Sequence, residues 1–281
     1  MPNRTVVPAT DVPWVACAIA WLGADAVAVQ EIVLDDQGTA AVDDLLRRLD
    51  TLTAGRWVAR FDDCHGSGRQ HVGLLVNTRA VELSHPAVVP ALNPGRGACD
   101  DSLRPGYGAY LRWPGGPDIH FVAVHLDSGP ARHDYDHRVA SLSHLADAFD
   151  SLQSLVSDSD VVVAGDFNTM GCEARGGCQP PVNAEQELTT IDRTLGALRV
   201  PFRRVPEDLP CTEYYRGRGH DLDHFVVSAA LAELPSATHA SVQGDCAASR
   251  CAPRHEPSES YSHVSDHCPV LLDLPRVDLD P

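Results

Sequence analysis

Apolar positions along this chain fall into two alternating rhythms: short unbroken runs, and longer stretches in which they recur every three to four residues. Ala26 to Ile32, Trp57 to Phe61, His71 to Asn77, Val81 to Ser84, Leu222 to Val227 and Val270 to Leu274 are of the first kind and predict strands, as does the valine run that ends at Asp166. Tyr107 to Trp113 and Ile119 to Leu126 flank Pro114-Gly-Gly-Pro117 and predict a hairpin. Val12 to Leu22, opened by Asp11 and Pro13, predicts a helix, as do Ala41 to Leu52 and Ala184 to Leu198. The clearest helical pattern runs from Asp134 to Leu155, with Val139, Leu142, Leu145, Ala146, Phe149 and Leu152 at helical spacing. Pro86 to Pro105 and Gly244 to Ser262 read as polar loops, and no internal repeat appears. Strands interleaved with helices place the chain in the mixed α/β class.

Composition bounds the rest. A chain of 281 residues, 43% hydrophobic and without a linker, predicts one domain over residues 1–281 and a monomer. The net charge of −17 is spread along the chain and disfavours non-specific duplex binding, while leaving room for a local basic groove. All 22 cationic side chains are arginine, a sign of GC-rich coding and also of a preference suited to phosphate oxygens. Nine cysteines without metal-finger spacing favour an exported, disulfide-bearing protein. Cys172 with Cys178 and Cys246 with Cys251 bracket short loops suited to local bridges, whereas Cys17 and Cys268 read equally well as small buried hydrophobes. The residues Met1-Pro-Asn-Arg show no signal-peptide core, and Val12 to Val33 is interrupted by Gly23, Asp25 and Gln30, so no stable membrane insertion is expected.

Chemistry concentrates where strands end. Asp160-Val-Val-Val-Ala-Gly-Asp166-Phe-Asn168 runs an apolar strand into a carboxylate and a carboxamide two residues apart, a spacing that directs both side chains to one side of extended backbone. Val27-Ala-Val-Gln30-Glu31 ends in a carboxylate with Gln30 expected on the opposite face, Phe121 to His125 ends in an imidazole, and Asp223 opens a further strand. Ser265-Asp266-His267-Cys268-Pro269 precedes the last apolar run. Each alone is an ordinary solvated or capping residue; together at the ends of inner strands they mark a ligand site of an open α/β sheet. Glu31 and Asp266 offer hard carboxylate oxygens for Mg²⁺ or Mn²⁺. Asp223 is suited to orient His267, which then activates a water; Asn168 to donate to a phosphoryl oxygen; Asp166 to hold the water or metal; and His125 to stabilise the transition state or serve the leaving group. His133, His137 and His144 lie on or near one predicted helix, where solvated histidines are commoner than a metal pair.

In order, Gln30-Glu31, Val124-His125-Leu126, Gly165-Asp166-Phe167-Asn168, Leu222-Asp223-His224 and Ser265-Asp266-His267 resemble the motifs of the endonuclease/exonuclease/phosphatase, or deoxyribonuclease-I-like, superfamily over about residues 20 to 275. The resemblance implies a four-layer sandwich of two mixed β-sheets with helices outside, and Mg²⁺-dependent hydrolysis of a phosphoester. It also implies Glu31 as principal metal ligand, an Asp223–His267 pair, and Asp166 and Asn168 holding water and phosphate, with the base either Asp166 or His267. One departure stands out. Such proteins open with a strand that carries an asparagine near the metal, and here Asn3 is the asparagine available, with ten residues before the first helix.

These features predict a phosphodiesterase, nucleic acid slightly before lipid. The alternatives are a binding or effector protein on the same fold that has lost turnover, a sphingomyelinase-like enzyme and a phosphomonoesterase. The loop Cys211-Thr-Glu-Tyr-Tyr-Arg-Gly-Arg-Gly219 is read equally as a solvated turn or as a contact to substrate phosphate through Arg216 and Arg218.

Overall fold

A computed structural model describes residues 10–64, 70–95, 106–254, 256 and 258–279. Its helices are α1 (Val12–Leu22), α2 (Asp36–Thr53), α3 (Arg132–Ser143), α4 (Leu145–Gln153), α5 (Ala184–Ala197), α6 (Gly244–Ser249) and α7 (Glu259–His263). The strands are β1 (Ala26–Val33), β2 (Trp57–Phe61), β3 (Gln70–Asn77), β4 (Glu82–Val89), β5 (Gly106–Arg112), β6 (Asp118–His125), β7 (Val161–Asp166), β8 (Phe202–Val205), β9 (Glu213–Tyr215), β10 (Arg218–His220), β11 (Asp223–Ser228), β12 (Ser241–Val242) and β13 (Val270–Leu271).

Two sheets form the centre. The first has the order β1-β3-β2 and the second β4-β5-β6-β7-β11-β8. Strand periodicity of two sorts their side chains into layers. Leu74 and Val76 of β3 join Tyr107, Ala109, Phe121, Val162 and Ala164 in the core between the sheets. Leu75, one residue along β3, turns to the other side and packs with Ala16, Ile19 and Leu49 of α1 and α2. Val122, Val124, Val161 and Val163 face outward from the second sheet onto Leu142, Leu145, Leu152, Ile191 and Leu195 of α3, α4 and α5. The layers therefore run helices, sheet, sheet, helices. β7 reads as an unbroken valine run because it pairs in parallel with β6 and is covered on both faces; burying each such side chain contributes about 1.5–3 kcal/mol.

Several element expectations are corrected. α2 starts at Asp36, five residues before its apolar pattern, because the Asp35 carboxylate accepts from the Gly38 N–H at 2.8 Å and caps a polar first turn. The helix expected from Asp134 to Leu155 breaks at His144 into α3 and α4. β4 continues through Pro86 to Val89, its register slipping between Ser84 and Ala87. Gly244 to Ser262 holds α6 and the start of α7, and regular pairing of the final strand stops at Leu271. Among the described residues α1 is the first element and β1 lies at the edge of its sheet; Asn3, on which the opening-strand expectation turned, lies outside the described residues.

Disulfides join Cys172 to Cys178, as expected, but Cys246 pairs with Cys268 and Cys211 with Cys251. Neither Cys246–Cys251 nor an unpaired Cys268 is found, because a satellite core brings distant segments together around Tyr214 and Val242. Cys17 is an exposed free thiol. Among the described residues no helix is long and apolar enough to cross a membrane.

Candidate active site

Sheet register builds the centre of the site. His125 pairs with Asp166 across β6 and β7, and Asp166 with Asp223 across β7 and β11, so three residues far apart in sequence stand in one row at one end of the second sheet. Directly opposed side chains in such a row lie about 4.5–5.5 Å apart at Cβ. His267 arrives from the segment before β13 and places Nδ1 2.8 Å from Asp223 Oδ2. Nε2 is the ring nitrogen left available to a ligand. His125 Nε2 stands 3.4 Å from Asp166 Oδ2 and 4.0 Å from Glu31 Oε1.

Glu31 reaches this row through a break in β1. Pairing with β3 slips between Val29 and Ile32, so Gln30 and Glu31 form a bulge, and Glu31 adopts φ 61°. The bulge corrects the expectation that Gln30 points away from Glu31: the Gln30 amide lies against Gly165 of β7 and Glu31 Oε1 comes 4.0 Å from His125 Nε2 of β6, so both reach the second sheet beside a cavity of about 730 Å³ that Asp223, Asp266 and His267 also line. Gly165 makes this approach possible. A Cβ there would stand 2.1 Å from Val124 O and 2.8 Å from Gln30 Nε2.

Asp166 and Asn168 meet, but for a different reason than their spacing suggests. β7 stops at Asp166 and Asn168 turns to φ 51°. The Asn168 backbone N–H donates to Asp166 Oδ1 at 2.8 Å, and its side-chain amide donates to Asp166 Oδ2 at 3.0 Å and Leu126 O at 3.1 Å. Both amide protons are thus directed at the protein, and Asn168 orients the carboxylate. Left-handed backbone at Glu31 and Asn168 costs on the order of 1–3 kcal/mol each and persists where surrounding contacts over-determine it, a pattern that clusters at functional sites.

The electrostatics are those of crowded carboxylates. Burial, then the Asp223 charge, pushes Asp166 up to about 7. Glu213, buried beside His267 through a backbone bridge, is pushed up to about 8 by burial and by Asp266, Asp223 and Asp166. For His267, burial opposes the imidazolium, but Asp223, Asp166 and Asp266 outweigh it and raise the ring to about 10. A set of hard oxygen donors that repel one another in this way fits a divalent cation, which relieves the repulsion. Glu31 and Asp266 flank the same cavity.

The sequence reading missed the supports of this row. His224, which follows Asp223, is fully buried; its Nδ1 lies 2.7 Å from Glu207 Oε1 and its Nε2 2.9 Å from Thr169 Oγ1. Thr169 Oγ1 spends its proton on Asp221 O at 2.6 Å, so it accepts from Nε2–H. With a carboxylate on the other nitrogen, both carry protons and His224 is an imidazolium, consistent with the upward shift that Glu207 imposes against burial. Glu207, Asp221 and His224 bring ligand atoms within 4.8 Å of one another, the one such grouping among the described residues, yet both imidazole nitrogens are engaged and Arg204 Nη1 lies 3.0 Å from Glu207 Oε2. Arg138, wholly buried, donates to both oxygens of Glu187 and to the carbonyls of Asp127, Gly129 and Gly171, tying the loop after His125 to the loop after Asn168. The chain neighbours of His224 and Arg138 carry no signal of such roles, because the partners that define them come from distant segments. His133, His137 and His144 instead stand near Asp134, Asp127 and Asp147, at 2.8, 4.0 and 2.7 Å.

No family model and no curated protein matches the sequence. Solved structures do match in fold. Danio rerio TDP2 complexed with a single-strand DNA product is 16% identical, with a TM-score of 0.59 over 92% of this chain and 88% of that one. An endonuclease/exonuclease/phosphatase protein of Bacteroides vulgatus is 15% identical, with a TM-score of 0.59 over 94% and 90%. A mannosyl-6-phosphatase of Bacteroides thetaiotaomicron is 14% identical, with a TM-score of 0.56 over 95% of each chain. These likenesses hold at the level of architecture: the chain shares the fold of these structures, the fold that the resemblance of the five motifs implied.

Proposed function

We propose that the protein is a metal-dependent phosphodiesterase, formed as one domain, with nucleic acid as its favoured substrate. The observation that carries this reading is the register row His125–Asp166–Asp223, with His267 bonded to Asp223 and Glu31 turned toward His125. Glu31 and Asp266 would hold Mg²⁺ or Mn²⁺, which when bound supplies charge neutralisation at the phosphate. Asp223 fixes the His267 ring through Nδ1 and presents Nε2 to a phosphoryl oxygen. Asp166, oriented by Asn168 and lifted toward neutrality, accepts a proton from the attacking water. His125 stands between Glu31 and Asp166, where it can steady the charge of the transition state. The fold neighbours include one complexed with a single-strand DNA product and a mannosyl-6-phosphatase, so a monoester is kept as the second reading beside nucleic acid.

The test is hydrolysis of bis-p-nitrophenyl phosphate, plasmid DNA, sphingomyelin and a sugar phosphate side by side, with Mg²⁺, Mn²⁺ or chelator. His267→Ala and Asp166→Asn should each lower turnover by orders of magnitude with the fold retained. Thermal titration should show stabilisation by the metal, about 2.7 kcal/mol at a hundredfold excess over Kd, that Glu31→Gln removes. Chelator-insensitive turnover, or wild-type rates in either variant, would refute the assignment; no metal shift and no turnover would favour a binding or effector role.

A further inference from the structure

The hairpin β9–β10 stands with both feet in the site. Glu213 bridges His267, and the Tyr214 N–H donates to Asp266 O at 2.9 Å. On the return strand His220 O accepts from the Thr212 N–H at 2.7 Å, and Asp223 follows three residues later. At about 3.3 Å per residue, the three-residue strands carry the tip about 10 Å beyond His267. That is the axial rise of about three nucleotides along one strand.

The hairpin is also braced. Cys211 at its base is joined to Cys251, and the Arg254 N–H donates to Gly217 O at 2.8 Å. Gly217 has φ 76°, and a Cβ there would stand 2.0 Å from Arg254 O, so the tip lies directly on the neighbouring segment. Tyr214 is buried beneath, its hydroxyl paired with Ser249 Oγ at 2.6 Å.

What this brace presents is positive charge. Arg47, Arg48, Arg112, Arg132, Arg138, Arg199, Arg204 and Arg254 each pair with a carboxylate. Arg216, Arg218 and Arg250 are exposed and, like Arg56, Arg60, Arg79, Arg175, Arg193, Arg203 and Arg276, have no ion pair among the described residues; what sets Arg216 and Arg218 apart is their place on a hairpin rooted beside His267. Tyr215 is 46% exposed with the Arg216 guanidinium 4.9 Å from its ring centroid, a flat polar and aromatic surface of the kind on which a base stacks.

We propose that β9–β10 is a substrate arm that grips a single nucleic-acid strand beyond the scissile phosphate, Arg216 and Arg218 taking backbone phosphates and Tyr215 a base. This rests on the phosphodiesterase reading and names its substrate class. The test is anisotropy of a fluorescein-labelled single-stranded oligonucleotide in chelator, across salt concentrations, with wild type, Arg216→Gln/Arg218→Gln, the corresponding double lysine variant, and Tyr215→Ala. The double glutamine variant should weaken binding tenfold or more and flatten the slope of log K against log salt by about 1.4, two phosphates at about 0.7 each. Double lysine should keep the slope and lose part of the affinity. Tyr215→Ala should weaken binding about 5- to 150-fold with the slope unchanged. An unchanged Kd and slope in the double glutamine variant, with unchanged melting temperature, would overturn the arm. So would loss of binding to sphingomyelin vesicles in place of the oligonucleotide. Turnover of bis-p-nitrophenyl phosphate by wild type separates the two failures: present, with binding unaffected by the arginines, the arm alone fails; absent, the phosphodiesterase reading fails while the binding result still decides the arm.

Discussion

Replacing His224 by glutamine tests whether the site row depends on a buried cation. The imidazolium sits between Glu207 Oε1 at 2.7 Å and Thr169 Oγ1 at 2.9 Å, with the ring about 1% exposed. Removing one partner of a buried ion pair costs about 3–5 kcal/mol. Arg204 still neutralises Glu207, and glutamine restores one of the two hydrogen bonds, worth about 1 kcal/mol, so the expected loss is about 2–3 kcal/mol. At about 2–4 °C per kcal/mol this lowers Tm by about 4–12 °C. The sign with pH follows from a folded-state pKa above the unfolded value. The contribution is complete below about 6.5, the unperturbed histidine value, declines as pH rises through the folded pKa, and is lost above it. The stability gap between wild type and variant, from denaturant melts at several pH values, should therefore close on the alkaline side. Turnover should fall too, because Thr169 adjoins the Asn168 turn. A loss below about 1 kcal/mol, or a neutral imidazole at pH 7 in ring-nitrogen NMR, would refute the reasoning.

Two further outcomes are expected. Tyr110 presents one phenolic proton to Asp118 at 2.5 Å and Asp158 at 2.7 Å, and burial first raises the Asp158 pKa. A raised carboxyl pKa gives stability that is present below the unfolded value and lost as pH rises through the folded one. Asp158→Asn should therefore stabilise the protein near neutral pH, by about 1 kcal/mol or less, with the gain vanishing in acid; a destabilised variant at pH 7 in thermal melts would contradict this. Cys246–Cys268 spans 22 residues and ends beside His267, so replacing both cysteines by serine should cost about 3 kcal/mol of stability and lower kcat more than it raises KM, as read from denaturant melts and steady-state kinetics. Unaltered kcat would show that the bridge does not hold His267 in place.

Much of the architecture was legible because local pattern and burial coincide. The valine run before Asp166, the β5–β6 hairpin and α1 are each explained by their own residues, since a strand covered on both faces must be apolar throughout and a capped helix announces its start. The ordered motifs likewise contain the residues that sheet pairing brings into one row, His125, Asp166 and Asp223, with His267 bonded to Asp223. What sequence alone left undecided is whatever depends on register and on partners from far along the chain. The row His125–Asp166–Asp223 exists because three strands pair at those residues, and one step of slip would turn the side chains to the other face. The Glu31 bulge is invisible to an alternation pattern because it is an extra residue set by pairing. Disulfide partners followed the fold and not proximity in sequence, joining Cys211 to Cys251 and Cys246 to Cys268. His224 looked like one more strand residue until Glu207, Thr169 and Asp221 surrounded it, because a charge becomes affordable in a core only when the tertiary structure supplies its counter-charge and hydrogen bonds.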